Sequence, residues 1–205
     1  MYIRKFTFKP EDVDCKLCTE YKRKDGCTSP GCPWLAERIE AGTVDYREAV
    51  LEAILPRSKV MAARVLRLID NPPNSFWVDR QHKNRMEMFN HRLGFKKQRN
   101  VSTYYATMYL LTTSEEIYRR TANCFYEKGV EFDFAVLDRI SIHNYSLYAA
   151  AQTIYCKSSN VTLEDMANPT IIDDEAFQLI INAILIAKYG LPALNLIKEE
   201  KTNGN

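Results

Sequence analysis

Four of the six cysteines lie close together near the N-terminus, in the pattern C-x2-C-x8-C-x4-C. The first pair, Cys15 and Cys18, has the two-residue spacing that lets two thiolates reach one metal ion. The second pair, Cys27 and Cys32, is spaced more widely, but Pro30-Gly31 supplies a turn that can bring these cysteines together. Four thiolates complete the tetrahedral coordination of zinc and leave no position for a substrate. The pattern therefore predicts a structural Zn²⁺ site.

Two other interpretations of the four cysteines stay open: an iron–sulfur cluster, and free thiols that are partly reactive. Met1–Pro10 lacks the apolar segment of a secretory signal, and the longest apolar run, Ala183–Ala187, is too short to span a membrane. We therefore expect a cytoplasmic protein, in which thiols stay reduced and clustered cysteines favour metal binding over disulfides. For Cys124 and Cys156, within apolar helical patterns, we expect packing in the core.

The rest of the chain predicts a mainly α-helical fold with a short β segment. Met1–Pro10 has the alternation of a short strand, and the cysteine segment that follows is polar and loop-like. We divide the chain into a zinc-binding segment with the first helix (1–44), a helical domain (45–199) and a disordered tail (200–205). Apolar periodicity, capping residues and Gly or Pro stop signals predict the longer helices at Pro33–Gly42, Asp45–Leu55, Arg57–Ile69, Phe76–Leu93, Val101–Leu111, Thr113–Lys128, Ile142–Cys156 and Asp173–Tyr189.

Charge is balanced over the whole chain and segregated within it. The net charge is +2, which excludes an acidic mimic of nucleic acid and a uniformly basic coat. The segment from Arg80 to Arg99 has a local net charge of +6, with Glu87 as its one acidic residue. Its basic residues are the candidate partner-binding residues: Arg80, Lys83, Arg85, Arg92, Lys96, Lys97 and Arg99.

Two interpretations of this basic segment stay open. It could contact a phosphate backbone or an acidic protein surface. Alternatively, it forms a solvated helix face that pairs within the protein with an acidic cluster: Glu164, Asp165, Asp173, Asp174 and Glu175.

Motifs for catalysis are weak. His82 and His91 are nine residues apart, which does not place them one turn apart on a helix. Asp79 and His82 have a spacing that is common on helix surfaces, and His143 has no partner at useful spacing in the sequence. There is no H-E-x-x-H motif and no phosphate-binding glycine loop. We therefore expect a protein that is not an enzyme.

Four motifs resemble a cysteine-knuckle family carried on mobile genetic elements of Firmicutes. They are D-C-K-L-C-T-E-Y at 14–21, C-T-S-P-G-C-P-W-L-A-E-R at 27–38, F-W-V-D-R-Q-H-K at 76–83 and I-I-D-D-E-A-F at 171–177. Within that setting the chain resembles zinc-bearing anti-CRISPR proteins of type II-A systems. The resemblance implies a protein in the cytoplasm of a bacterial host. It also implies binding to the RNA-guided effector nuclease or its guide complex and inhibition of that nuclease.

The same motifs carry over the four cysteines as metal ligands and no other functional residue. Because the chain carries no excess of negative charge, such an inhibitor would act by protein–protein contact and not by DNA mimicry. The alternative is a nucleic-acid-binding accessory or regulatory protein of a mobile element, which would use the basic segment.

Overall fold

A helix without a polar face lies at the centre of the protein. The computed structural model describes residues 7–29, 31–54, 59–93, 101–126 and 129–197, with only the backbone of residues 92, 93 and 101. Within it, α5 (Val101–Leu111) is buried along its whole length from Tyr104 onwards. A helix that is apolar on all sides must be surrounded by other elements. Accordingly, α5 packs against α7 (Ile142–Cys156) and α9 (Asp174–Tyr189), which also pack against each other.

Shorter elements surround these three helices. The other α-helices are α1 (Leu35–Glu40), α2 (Tyr46–Ala53), α3 (Ala62–Asp70), α4 (Arg80–Leu93), α6 (Glu115–Thr121) and α8 (Leu163–Ala167). Short 3₁₀ helices occupy Pro10–Val13, Cys15–Leu17, Ala122–Cys124, Phe132–Phe134 and Leu191–Asn195. Two antiparallel hairpins pair β1 (Tyr21–Lys22) with β2 (Gly26–Cys27) and β3 (Phe125–Tyr126) with β4 (Gly129–Val130). The predicted mainly helical fold is therefore confirmed. No helix within the described ranges is long and apolar enough to cross a bilayer.

Capping side chains explain where several helices begin. The side chains of Asp45, Ser141 and Asp173 each accept a hydrogen bond from a backbone N–H in the first turn of α2, α7 and α9. Thr162 and Asp165 form a capping box at the start of α8. At the other end, Gly42 follows α1 with a φ of 70°, a conformation that glycine adopts without a steric penalty.

The prediction for the region after α5 was wrong in two respects. The N-cap of α6 is Ser114, whose hydroxyl accepts from the Ile117 N–H, and not Thr113. The helix ends at Thr121 instead of continuing to Lys128, because the chain forms a 3₁₀ turn and then the β3–β4 hairpin. The Thr113 hydroxyl instead donates to the Leu110 carbonyl at the end of α5.

Three further predictions differ from the structure. Residues 7–9 of the predicted first strand have no regular structure, and residues 1–6 lie outside the described ranges. The predicted helix at Phe76–Leu93 begins at Arg80. The apolar side chains of the predicted helix at Arg57–Ile69 do not all face the core: Val65 and Leu68 of α3 are buried, whereas Ala63 and Val60, which precedes α3, are exposed. The side chain of Arg64 occupies the buried face in their place.

The first helix shares its core with the rest of the chain. Leu35 and Ile39 of α1 belong to the same cluster of buried side chains as α5 and α9. Helix α1 packs against α2 and against the 3₁₀ helix Leu191–Asn195. The division of the chain after residue 44 stays a prediction, and the predicted tail at 200–205 lies outside the described residues.

A polar network crosses this apolar core. The Asn182 side chain, on α9 and fully buried, accepts a hydrogen bond from the Tyr46 hydroxyl at 2.8 Å. Its amide nitrogen donates to the Tyr109 hydroxyl at 3.0 Å, which in turn donates to the Phe76 carbonyl at 2.5 Å. The network therefore joins α2, α5, α9 and the chain before α4 through groups that have no access to water.

Removing one donor from this network should destabilise the protein. In Tyr46→Phe the Asn182 carbonyl oxygen loses the Tyr46 donor, which costs about 1–3 kcal/mol of the free energy of unfolding. Urea denaturation followed by circular dichroism should show a lower midpoint with an unchanged m-value. The matched control is Tyr145→Phe on the exposed side of α7, which should leave the midpoint in place. Equal midpoints for Tyr46→Phe and the wild type would contradict the importance of the network.

Candidate metal centre and charged surfaces

The first pair of cysteines lies in a tight turn. Asp14 caps the 3₁₀ helix Cys15–Leu17 by accepting from the Lys16 N–H at 2.9 Å. The Cys18 N–H donates to the Cys15 carbonyl at 2.9 Å, which closes the turn. The two-residue spacing therefore places both cysteines on one compact loop, as the sequence predicted.

The β1–β2 hairpin returns the chain to this turn. Tyr21 pairs with Cys27 across the hairpin, and the Tyr21 N–H donates to the Cys18 carbonyl at 3.2 Å. Gly26 has a φ of 74°, which the reversal requires and which a side chain would strain. Through these bonds Cys27 is held to the strand that leaves the first cysteine turn.

The fourth cysteine is attached to the helices. The Cys32 N–H donates to Glu52 Oε2 on α2 at 2.9 Å. On its other side, Arg38 Nη1 of α1 lies 3.7 Å from Cys32 Sγ, a hydrogen-bonding distance for sulfur. Arg38 Nη2 lies 2.7 Å from Glu48 Oε1. Burial alone would lower the pKa of Arg38, but its hydrogen bonds to Cys32 and Glu48 outweigh burial and raise that pKa.

All four cysteines line one cavity of about 320 Å³. Its wall also includes Trp34, Arg38, Glu48 and Glu52. Within the described residues, no three side chains of His, Cys, Asp or Glu are arranged to hold a metal ion. Four cysteine thiols are a common donor set of structural zinc sites, so the residues that line this cavity fit zinc. The metal itself stays a prediction.

The remaining cysteines differ from each other. Cys124 is fully buried as predicted, and burial, with a smaller effect of the charge on Asp133, raises its pKa to about 11. Cys156 is exposed at the last residue of α7, so the prediction that it packs in the core was wrong. The predicted bounds of α7 were correct, but within the described residues the side chain at its last position is left exposed.

Three of the predicted partner-binding residues have described side chains. Arg80 is exposed at the start of α4, and Lys83 is half-buried one turn later. Arg85 is largely buried, and its guanidinium donates to the carbonyls of Thr112 and Thr113, both at 2.7 Å. It thus satisfies carbonyl groups at the end of α5, a role in the fold itself. The side chains of Arg92, Lys96, Lys97 and Arg99 lie outside the described part.

Asp174, a member of the acidic cluster of the C-terminal third, has its partners on α3. Asp174 Oδ1 lies 2.6 Å from Arg64 Nη2, and its other oxygen lies 3.8 Å from Arg67. The Arg64 guanidinium also donates to the carbonyls of Met166 and Ile172, both at 2.8 Å. These contacts explain why an arginine occupies the buried face of α3, and they direct Asp174 to α3 and not to the basic segment.

His143 has a partner that sequence spacing did not reveal. Its Nδ1 lies 2.8 Å from Asp173 Oδ2, although thirty residues separate the two along the chain. The other oxygen of Asp173 accepts from the Ala176 N–H and caps α9. Burial opposes the ionised form of Asp173, but the Ala176 N–H and His143 outweigh burial and lower the pKa of Asp173. The cap of α9 and the contact between His143 and Asp173 therefore account for both side chains without a catalytic role.

His82 is a buried structural residue and not half of an acid–base pair. Asp79 accepts from the backbone N–H of His82 at 2.6 Å and so binds the first turn of α4, not the ring. The ring lies between two backbone groups, with Nε2 2.9 Å from the Tyr109 carbonyl and Nδ1 accepting from the Val78 N–H. This arrangement requires a neutral ring protonated on Nε2. Burial lowers the pKa of His82 to about 4, because the effect of burial is larger than the opposing effect of the hydrogen bond to the Tyr109 carbonyl.

The chain was also compared with known proteins. No family model, no curated protein and no solved structure matches it.

The buried ring of His82 predicts a loss of stability in acid. Its pKa is about 4 in the folded protein and about 6.5 in an unfolded chain, so between these values the unfolded state binds more protons. The free energy of unfolding should therefore fall by about 3 kcal/mol as the pH drops from 6.5 to 4, and then level off for this group. Urea denaturation at a series of pH values measures this fall.

His82→Gln retains an N–H that can reach the Tyr109 carbonyl but cannot become charged, so the slope of stability between pH 4 and 6.5 should decrease. The control is His91→Gln, at an exposed position on the same helix, which should keep the wild-type slope. If both variants keep the wild-type slope, His82 is not the group that titrates.

Proposed function

We propose that Cys15, Cys18, Cys27 and Cys32 bind one structural Zn²⁺ ion. The observation that supports this most directly is that cysteines from a 3₁₀ turn, a hairpin and the segment before α1 all border the same cavity. Zinc at four thiolates supplies folding energy and crosslinks these local structures, without an open position for chemistry.

We further propose that the zinc-bearing protein binds an RNA-guided effector nuclease of type II-A CRISPR systems, or its guide complex, and inhibits it by protein–protein contact. The family resemblance supplies this partner, and the cytoplasm of a bacterial host is where the two would meet. The chain would act as an inhibitor and not as an enzyme.

The distribution of charge supports contact with protein over mimicry of DNA. Several carboxylates on the surface have basic partners, among them Glu115 with Arg119 at 2.6 Å and Glu116 with Arg120 at 3.7 Å. Asp174 is held by Arg64 in the same way. A DNA mimic needs many carboxylates that present uncompensated negative charge, and these pairs compensate it locally.

Exposed apolar side chains give a second reason to favour a protein partner. Ile142 and Tyr145 lie one turn apart on α7, with 75% and 52% of their surface exposed. Phe134 and Val136, in the preceding loop, are exposed to a similar extent. Aromatic and aliphatic side chains of this kind are typical of the buried centre of protein interfaces. The exposed Arg80 and the half-buried Lys83 would add charge at such a contact.

The zinc proposal predicts one Zn²⁺ ion per chain in protein purified without chelator. Cys15→Ser should lose that zinc and loosen the segment before α1, while most of the helical circular dichroism remains, because α5, α7 and α9 contribute no residue to the cavity lined by the cysteines. Elemental analysis measures the zinc. The matched control is Cys156→Ser, which removes an exposed cysteine outside the cavity and should retain one zinc. Wild-type protein without stoichiometric metal would exclude the site, and a complete loss of helix in Cys15→Ser would show that the zinc segment is integral to the core.

The inhibitor proposal predicts that the protein co-elutes with a type II-A nuclease–guide complex in gel filtration and prevents cleavage of target DNA, without cutting nucleic acid itself. The double variant Arg80→Glu/Lys83→Glu should bind the complex more weakly if these residues take part. Lys157→Glu, a charge reversal at an exposed side chain just after α7, at the opposite end of that helix from Ile142, is the control and should bind normally.

Failure to co-elute with any type II-A effector would exclude this partner. A salt titration against short duplexes distinguishes the alternative of a nucleic-acid-binding protein. Tight binding that falls steeply with salt, and is lost in the double variant, would favour that alternative.

A further inference from the structure

Arg38 lines the same cavity as the four cysteines and contacts two other side chains there. Its guanidinium reaches in two directions, with Nη1 3.7 Å from Cys32 Sγ and Nη2 2.7 Å from Glu48 Oε1. The side chain is only 15% exposed, so its charge is weakly screened by water. Arg38 therefore lies between a sulfur and a carboxylate, the two kinds of group whose negative charges would otherwise face each other.

The charge of a bound metal makes this position important. One Zn²⁺ ion with four thiolates has a net charge of −2. Four carboxyl side chains line the same cavity, Asp12, Asp14, Glu48 and Glu52, and the last two are joined to Cys32 directly or through Arg38. Glu52 is bound to the Cys32 N–H, and Glu48 is bound to Arg38. Without a cation, an anionic metal site and these carboxylates would lie together in a partly buried space, which is electrostatically unfavourable.

We propose that Arg38 is a positioning residue for the metal site, which compensates its negative charge and orients the sulfur of Cys32. This inference rests on the proposed zinc site. Its consequence is that zinc affinity depends on a residue of α1 that does not itself bind the metal. Outer residues that orient metal ligands typically contribute 10–100-fold to metal affinity.

The experiment compares three variants of Arg38 and its partner by zinc competition with a chromophoric chelator, using the full chain. Arg38→Met keeps the length of the side chain and removes the charge, and we expect a 10–100-fold loss of zinc affinity. Arg38→Lys keeps the charge without the two-pronged geometry and should recover part of this loss. The matched control is Arg119→Met on α6, which also removes one charge and should bind zinc as the wild type does.

Glu48→Gln distinguishes whether Arg38 compensates the charge of the metal site or only holds α1 and α2 in place. This variant remains informative even if Arg38→Met fails to fold. The glutamine oxygen can still accept from Arg38, while one negative charge disappears. Zinc affinity should therefore stay the same or increase. If the Arg38–Glu48 pair served only to hold α1 and α2 in place, weakening it would lower zinc affinity.

Substitution with Co²⁺ gives a second readout. The intensity of the thiolate-to-cobalt absorption reports how many sulfurs bind, and in Arg38→Met it should fall relative to the wild type as Cys32 is oriented less well. Wild-type zinc affinity and spectrum in Arg38→Met, or a tenfold loss in Glu48→Gln, would overturn the role of Arg38 and leave the zinc site intact. A wild-type protein that binds no zinc would exclude the site itself and Arg38's role with it.

Discussion

The arrangement of the central helices depends on the hydrogen bonds of the buried Asn182 side chain. Its amide is fully buried on α9, the helix that packs against both α5 and α7. An amide without hydrogen bonds in such a place costs free energy, so packing that leaves it without partners is disfavoured. Its contacts with Tyr46 and Tyr109 are satisfied only when α2 and α5 have one rotation and one register relative to α9. Apolar packing alone allows several arrangements of these helices, and the polar network selects one.

A similar constraint operates at the edge of the core, where Arg64 joins α3 to the chain around α8 and α9. Its guanidinium satisfies carbonyls at Met166 and Ile172 and pairs with Asp174, and it lies 4.3 Å from the centre of the Phe177 ring. The motif at 171–177, on which part of the family resemblance rests, therefore contains residues that build this junction. The motif at 76–83 likewise contains buried Phe76 and His82. These buried residues of the two motifs therefore serve the fold.

These contacts also show what the sequence could predict. Helices α5 and α7 match their predicted bounds, because their apolar patterns, and for α7 the Ser141 cap, are local signals. The turn between Cys15 and Cys18 was predictable from spacing for the same reason. The burial of Arg64 and the pairing of His143 with Asp173 depend on residues thirty or more positions away. No local pattern contains such contacts, and an arginine in an apolar stripe is more often a solvated residue. The Cys32 contacts of Arg38 and Glu52, six and twenty positions away, were also missed, because they depend on how the cysteine segment folds against α1 and α2.

The same long-range contacts determine how a metal at the cysteines would affect the rest of the molecule. Cys32 lies directly before Pro33, and Leu35 two positions later is already buried in the core. The Cys32 N–H is bound to Glu52 on α2, the helix that also carries Tyr46 of the polar network. A metal that fixed Cys32 would therefore fix the start of α1 and its distance from α2, so its effect would be transmitted through two helices to Asn182.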